Sequence, residues 1–282
     1  MKIIYCGHDL LISCFNTLIE QGHEILKVFS NDCDNIYNFN LEIKAKCGNL
    51  GIPFTVERIT EKDIEELQSK GCELIVSAAY PYKIPVYEGM PKAINIHPTL
   101  LPEGRGPWPF PWIILKQLKE SGVTIHKINM DWDKGDILLQ EKFDVIDKEN
   151  LQTITEKSQI AAQKALIKVL NNFEEYWDHS ISQSEGSYWP MFTWDNRTID
   201  WDMTVEEIDR IVRAFGNFDS LATFDEKEWI IQDAITWKEE HTYIPGTIIE
   251  RSDAEVLIAA KDGYVRIMSY RIDPDFVESN PT

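Results

Sequence analysis

Two short stretches of this chain hold residues whose types and spacing suit proton transfer and charge stabilisation. In Ile94-Asn95-Ile96-His97-Pro98 the asparagine and histidine stand two apart at the end of an apolar run. On a strand that spacing sends both side chains to one face, and Pro98 then ends the ladder. Unperturbed imidazole titrates at about 6.5, which suits a proton acceptor near neutral pH. The neighbouring asparagine offers an N–H donor to a developing oxyanion and brings no proton of its own into the exchange. Taken alone, an Asn-x-His pair at a strand end is more simply read as a structural hydrogen-bonding pair.

The second stretch runs Gly122-Val123-Thr124-Ile125-His126, then Met130-Asp131-Trp132-Asp133-Lys134-Gly135-Asp136-Ile137. A strand enters an acidic loop containing a glycine, and another strand leaves it. An aspartate there can face the carboxyl ends of the strands and hold His97 through a carboxylate–imidazole pair, which favours imidazolium and orients the ring. A solvated turn is the plainer reading of Asp-Lys-Gly-Asp. A hard cation is not expected, because the spacing lacks the further ligands of an EF-hand loop.

The elements that must position these groups follow from hydrophobic period. Strands are expected at residues 2–6, 25–29, 73–77, 93–96 and 123–129, with helices near 10–21, 41–50, 61–70 and 112–120. A long helix follows over about 151–173. This alternation predicts βαβ units and a Rossmann-like, mostly parallel sheet. Ser, Gly, Pro and aromatics break the helical period over 182–196, so a boundary is expected there. It leaves a catalytic domain at 1–185 and a smaller, mostly β domain at 186–282. In the latter, 204–215 is a helix opened by the capping box Thr204/Glu207. Strands are expected at 229–235, 243–250, 255–260 and 264–272, with turns at Pro245-Gly246, 251–253 and 261–263. The first strand ends Cys6-Gly7-His8-Asp9 with a single glycine, so the G-x-G-x-x-G of a dinucleotide site is absent.

Composition narrows the partners. Of the 282 residues, 43% are hydrophobic and 27% charged, an ordinary globular balance. The apolar start is too short for a signal peptide or a membrane span. Five cysteines crowd the first quarter with no C-x-x-C pair, consistent with reduced thiols of a cytoplasmic protein. The net charge is −19, of which −12 falls from residue 185 onward. Nucleic-acid binders neutralise phosphate with basic residues, so this balance argues against a nucleic-acid partner.

Together these segments resemble the folate-dependent formyltransferase family, which includes methionyl-tRNA, glycinamide ribonucleotide and sugar N-formyltransferases. The family's Asn-x-His-Pro-Ser-Leu-Leu-Pro appears as Asn95-Ile96-His97-Pro98-Thr99-Leu100-Leu101-Pro102, followed by Arg105-Gly106. Its Gly-Val-Thr-Ile-His strand is matched at 122–126 and its Asp-x-Gly-Asp-Ile loop at 133–137. The resemblance covers about the first 180 residues. It implies Asn95 as oxyanion stabiliser, His97 as general base and acid, and Asp133 as the residue tuning His97, with Thr124 and His126 supporting. It also implies 10-formyltetrahydrofolate as formyl donor, without a metal. The segments holding Tyr80, Tyr82, Lys83 and Ile84, and Asp131 and Trp132, match those that grip the pterin.

The expected acceptor is a nucleotide-linked, dTDP-type amino deoxysugar. The C-terminal domain disfavours glycinamide ribonucleotide, and the acidity of that domain disfavours methionyl-tRNA, which is the alternative. A non-catalytic folate-binding protein on the same fold is a third reading, and intact Asn95, His97 and Asp133 oppose it. The aromatic stretch 187–201 resembles the linker of sugar N-formyltransferases, whose rings can stack on a base or sugar, while Arg197 can pair with a diphosphate. Arg105, His126, Trp194 and Arg197 are accordingly expected to bind the acceptor. The likeness to the sugar enzymes further implies a cytoplasmic homodimer in lipopolysaccharide biosynthesis. The family's Pro-Tyr-Pro-Gly after 210–215 is replaced by Gly216-Asn217-Phe218-Asp219.

Overall fold

A computed structural model describes residues 1–35, 38–216, 220–224, 227–252 and 255–272. The chain divides into two compact units, one formed by 1–109, 118–146 and 152–190, the other by 110–117, 147–151 and 191–282.

The first unit is built on a seven-stranded sheet. In chain order its elements are β1 (Lys2–Gly7), α1 (Ile12–Glu20), β2 (Glu24–Phe29), α2 (Leu41–Leu50), β3 (Phe54–Thr55), α3 (Glu61–Ser69), β4 (Leu74–Ala78) and β5 (Lys92–His97). After α4 (Phe110–Leu115), which belongs to the second unit, come β6 (Glu120–Lys127), β7 (Ile137–Asp144), α5 (Leu151–Asn171) and α6 (Phe173–Asp178). The strand order is β3-β2-β1-β4-β5-β6-β7. The first five are parallel, while β6 and β7 run antiparallel to their neighbours, so the mostly parallel sheet is as expected.

Alternation along β1 shows why the sheet needs cover on both faces. Ile3 and Tyr5 join a core with Phe15 and Leu18 of α1, Ile43 of α2 and Ala162 and Leu166 of α5. Ile4 and Cys6 join a second core with Ile64 and Leu67 of α3. Burial of these apolar faces, at about 25 cal/mol per Å², is what holds strand against helix.

The second unit carries a six-stranded sheet in the order β11-β12-β13-β10-β9-β8. These are β8 (Thr198–Ile199), β9 (Ser220–Phe224), β10 (Lys227–Lys238), β11 (Ile248–Arg251), β12 (Val256–Ala260) and β13 (Gly263–Ile272). Its helices include α7 (Trp194–Arg197) and α8 (Val205–Phe215). The Thr204/Glu207 capping box forms as read, and α8 buries Ile208, Ile211, Val212 and Phe215.

Several boundaries differ from the sequence expectation. The helix expected to reach residue 120 stops at Leu115, because Glu120 is claimed by strand pairing with Asp144 and Gln117 takes a left-handed φ of 53°. Tertiary pairing overrides helical period there. The strand expected at 243–250 begins only at Ile248, since Pro245 lacks a ladder donor and Gly246 turns at φ 88°. β3, β8 and β9 have no counterpart in the sequence expectation, the first two being only two residues long and β9 weakly patterned. Residues 217–219, where the family continuation is lost, and Asp253 of the expected 251–253 turn lie outside the described residues.

Candidate active site

The antiparallel register of β5 on β6 sets Asn95 opposite His126 and His97 opposite Thr124. The Asn-x-His spacing thus places both side chains beside two residues of the Gly-Val-Thr-Ile-His strand. Asp133 enters from the loop between β6 and β7. Its Oδ1 lies 3.5 Å from His97 Nδ1, 3.5 Å from Asn95 Nδ2 and 3.7 Å from His126 Nε2. Its Oδ2 accepts the Gly106 N–H at 3.0 Å. Asp133, His97 and His126 are all buried.

Donor and acceptor chemistry settles which ring nitrogens carry protons. His97 Nε2 lies 2.8 Å from the Gly104 carbonyl, which can only accept, so Nε2 is the protonated nitrogen and Nδ1 faces Asp133. His126 Nδ1 likewise donates to the Lys127 carbonyl at 2.8 Å. Its Nε2 is then an acceptor, and Asn95 Nδ2 donates to it at 3.1 Å. Asn95 Nδ2 thus spends one hydrogen on His126 and turns the other toward Asp133 Oδ1 at the longer distance of 3.5 Å.

Desolvation lowers the His126 pKa to about 4, outweighing the opposing pull of the Asp133 carboxylate. His126 is thus neutral at working pH, as an acceptor for Asn95 must be. In an unfolded chain the same ring takes a proton near 6.5, so the unfolded state binds the extra proton between pH 6.5 and 4. Stability is full above 6.5 and falls as the pH drops toward 4. Chemical denaturation at pH 7 and pH 5 should show about 2 kcal/mol more loss for the wild type than for His126→Gln. Equal losses in the two proteins would refute this account of His126.

Thr124 works away from the carboxylate. Its hydroxyl donates to the Thr99 carbonyl at 2.7 Å and accepts from Leu101 N at 3.0 Å, tying the Pro-Thr-Leu-Leu-Pro loop to β6. Arg105, expected at the acceptor, donates to Gln183 Oε1 through Nε at 3.2 Å and Nη2 at 2.8 Å, and to the Ser184 carbonyl at 3.0 Å. Gln183 also donates to the Asp133 and Gly135 carbonyls. Sequence reading missed Gln183, along with the Gly104 carbonyl and the Gly106 amide. A lone glutamine in a polar loop carries no signal, and the other two are main-chain groups.

Of the residues matched to the pterin segments, Tyr80 and Ile84 are buried in the core, and the Tyr80 hydroxyl accepts from Ile59 N at 3.1 Å. Tyr82 packs edge-on to Tyr80 under the Arg58 guanidinium, 4.2 Å from the ring centroid. Lys83 donates to the Met130 carbonyl at 3.0 Å and stands over the Trp132 ring, so the 80–84 and 130–132 segments meet. Asp131 faces Lys134 at 3.7 Å. Met130 and Trp132 are exposed at 71% and 49%, an apolar pair suited to a flat heterocycle. In the second unit, the Arg197 guanidinium lies 3.5 Å over the Trp194 ring, and Phe192 packs on Phe215. Among the described residues, no group of three or more His, Cys, Asp and Glu is placed to hold a metal ion.

Residues 40–170 match the family model described as "Formyl transferase", and 192–274 match "Formyl transferase, C-terminal domain". A methionyl-tRNA formyltransferase of Enterococcus faecalis is 32% identical over 277 residues, covering 94% of this chain and 88% of that protein. The chain belongs to the formyl transferase family. This formyltransferase is also 28% identical over 282 residues to a methionyl-tRNA formyltransferase of Alkaliphilus oremlandii, covering 95% of this chain and 90% of that one. Among solved structures it resembles Aquifex aeolicus HypX in complex with tetrahydrofolic acid, with TM-score 0.73 and 22% identity. That likeness covers 96% of this chain but only 44% of HypX. An N-formyltransferase from Helicobacter canadensis, bound to folinic acid and dTDP-3-aminofucose, aligns at TM-score 0.71 and 19% identity, covering 96% and 100% of the two chains.

These findings confirm a folate-dependent formyltransferase and correct the expected acceptor. The relatives matched along nearly the whole formyltransferase are methionyl-tRNA enzymes, whereas the likeness to sugar N-formyltransferases shows the fold alone. A nucleotide-linked amino sugar, lipopolysaccharide biosynthesis and the exclusion of nucleic acid are therefore set aside. The charge argument failed because net charge sums a whole surface, while salt screens charges beyond about 8 Å. Phosphate contact needs only a few cations at the right place. The linker argument failed because its aromatics have packing duties. Phe192 and Trp194 serve α8 and Arg197, and Trp189 and Trp201 are buried.

Proposed function

We propose that this formyltransferase moves the formyl group of 10-formyltetrahydrofolate to the α-amine of methionyl-tRNA, with Asn95, His97 and Asp133 as its catalytic core. One observation carries the reading. The His97 imidazole and the Asn95 amide converge within 3.5 Å of one oxygen of Asp133, in a chain 32% identical over 94% of its length to a methionyl-tRNA formyltransferase.

The neutral amine attacks the formyl carbon, and the carbonyl oxygen becomes an oxyanion in the tetrahedral adduct. Asn95 meets that oxygen with the amide hydrogen not given to His126. His97 keeps its Nε2 proton on Gly104, so Nδ1 is the atom that takes the proton from the attacking nitrogen. Asp133 Oδ1, 3.5 Å from that same nitrogen, faces the resulting imidazolium and stabilises its charge. Nδ1 then returns the proton to the folate nitrogen as the carbon–nitrogen bond breaks. The exposed Met130 and Trp132 faces take the pterin. No described helix is long and apolar enough to cross a membrane, and we place the reaction in the cytoplasm.

The test is to incubate the protein with 10-formyltetrahydrofolate and methionyl-tRNA, digest the tRNA, and weigh the aminoacyl-adenosine. A formyl group on the methionine, with tRNA affinity that weakens as salt rises, is the expected result. Unmodified methionine beside a formylated dTDP- or UDP-amino sugar would overturn the proposal.

A further inference from the structure

Asp133 holds an unfavourable backbone conformation. Its φ of 54° lies in the left-handed region, which costs a residue with a Cβ about 1–2 kcal/mol. Surrounding contacts must hold it there. Gln183, 50 residues further on, donates both amide hydrogens to the loop, to the Asp133 carbonyl at 2.9 Å and the Gly135 carbonyl at 2.7 Å. Its one acceptor oxygen takes two donors from Arg105. The Gln183 amide is thereby saturated and its direction fixed, since a flipped amide would set oxygen against two carbonyls and NH₂ against a guanidinium.

The contacts close on themselves. Arg105 sits between Gly104, whose carbonyl orients His97, and Gly106, whose amide holds Asp133 Oδ2. The same stretch is pinned by residues following Gln183. Ser187 Oγ accepts from Gly104 N at 3.0 Å, the Ser187 carbonyl accepts from Arg105 N at 3.1 Å, and Trp189 N donates to the Arg105 carbonyl at 2.7 Å. One strap, 183–189, thus grips both the loop that presents Asp133 and the loop that orients His97.

We propose that Gln183, clamped by Arg105, is a positioning residue that holds the Asp133 main chain in its left-handed conformation and so aims the carboxylate at His97 Nδ1. Arg105 serves as the anchor of this clamp and does not meet the acceptor. The inference rests on the roles proposed above for His97 and Asp133.

Two readouts on the full chain test it. In a four-cornered cycle of wild type, Gln183→Ala, Asp133→Asn and the double variant, Gln183→Ala should lower kcat about tenfold or more. KM for folate and for methionyl-tRNA should move less than about threefold. In the Asp133→Asn background the same change should cost less than about threefold, because the carboxylate it aims is already gone. Gln183→Glu keeps the Arg105 pair but turns an oxygen toward both carbonyls, and should fall at least as low as Gln183→Ala. The second readout needs no acceptor. The Gly106 amide resonance of the free protein should move in Gln183→Ala toward its position in Asp133→Asn. Equal costs in both backgrounds, near-normal turnover of Gln183→Glu, or an unmoved Gly106 resonance would each overturn the proposal. Wild type inactive on methionyl-tRNA, with Gly106 shifted as expected, would sink the acceptor reading and leave the clamp standing.

Discussion

Replacing His97 with asparagine is expected to lower turnover by about a hundredfold or more while the protein stays folded. Asparagine can keep a donor near the Gly104 carbonyl but supplies no atom that takes and returns a proton where Nδ1 stands. Asn95→Ala removes the amide donor proposed to meet the oxyanion, a loss of about 10²–10³ where a single oxyanion-hole donor is deleted. Asp133→Asn removes the charge facing the imidazolium and presents either NH₂ or oxygen to the four groups arranged around a carboxylate, so a similar loss is expected. Single-turnover rates with saturating folate and methionyl-tRNA, checked against circular dichroism, measure all three. A His97 variant keeping more than about a tenth of wild-type rate would remove His97 from the chemistry.

Gly135→Ala should damage both stability and turnover, by about 3 kcal/mol or more and by more than tenfold. A Cβ on Gly135 would stand 1.7 Å from the Lys127 carbonyl oxygen, far inside van der Waals contact. That oxygen belongs to backbone at the end of β6, and Lys127 N is bonded to the Asp136 carbonyl at 2.9 Å, so neither side yields easily. Relief requires the 128–136 loop to lift, which carries Asp133 away from His97 and breaks the Gln183 bond to Gly135. Denaturation midpoint and kcat should therefore fall together. An alanine variant with normal stability and normal turnover would show that the close approach does not hold the loop.

The parts of this enzyme legible in one dimension are those whose cause is local. Period-two alternation and apolar runs placed the core strands of the first unit. The two-residue spacing of Asn95 and His97 put both on one strand face, and the cap of α8 was written in Thr204 and Glu207. The motif at 133–137 located the loop, though not its geometry. Local patterning was least informative where pairing with a distant partner decides, as at Glu120, which Asp144 claims for a strand at the end of an expected helix.

Tertiary structure alone decided how the site is held. Residue types do not say which nitrogen of His97 carries the proton. The Gly104 carbonyl decides that, and it is a main-chain group with no sequence signature. Nor could any spacing rule connect Gln183 to Asp133, because their contact depends on a strap that returns to the sheet 50 residues later. Arg105 shows the limit most plainly. Its place in an Arg-Gly motif names no partner, and only the folded chain places a glutamine amide and a carbonyl around its guanidinium. Charge is a property of the residue, but its partner is a property of the fold, because side chains far apart in sequence meet only when the backbone between them has been packed.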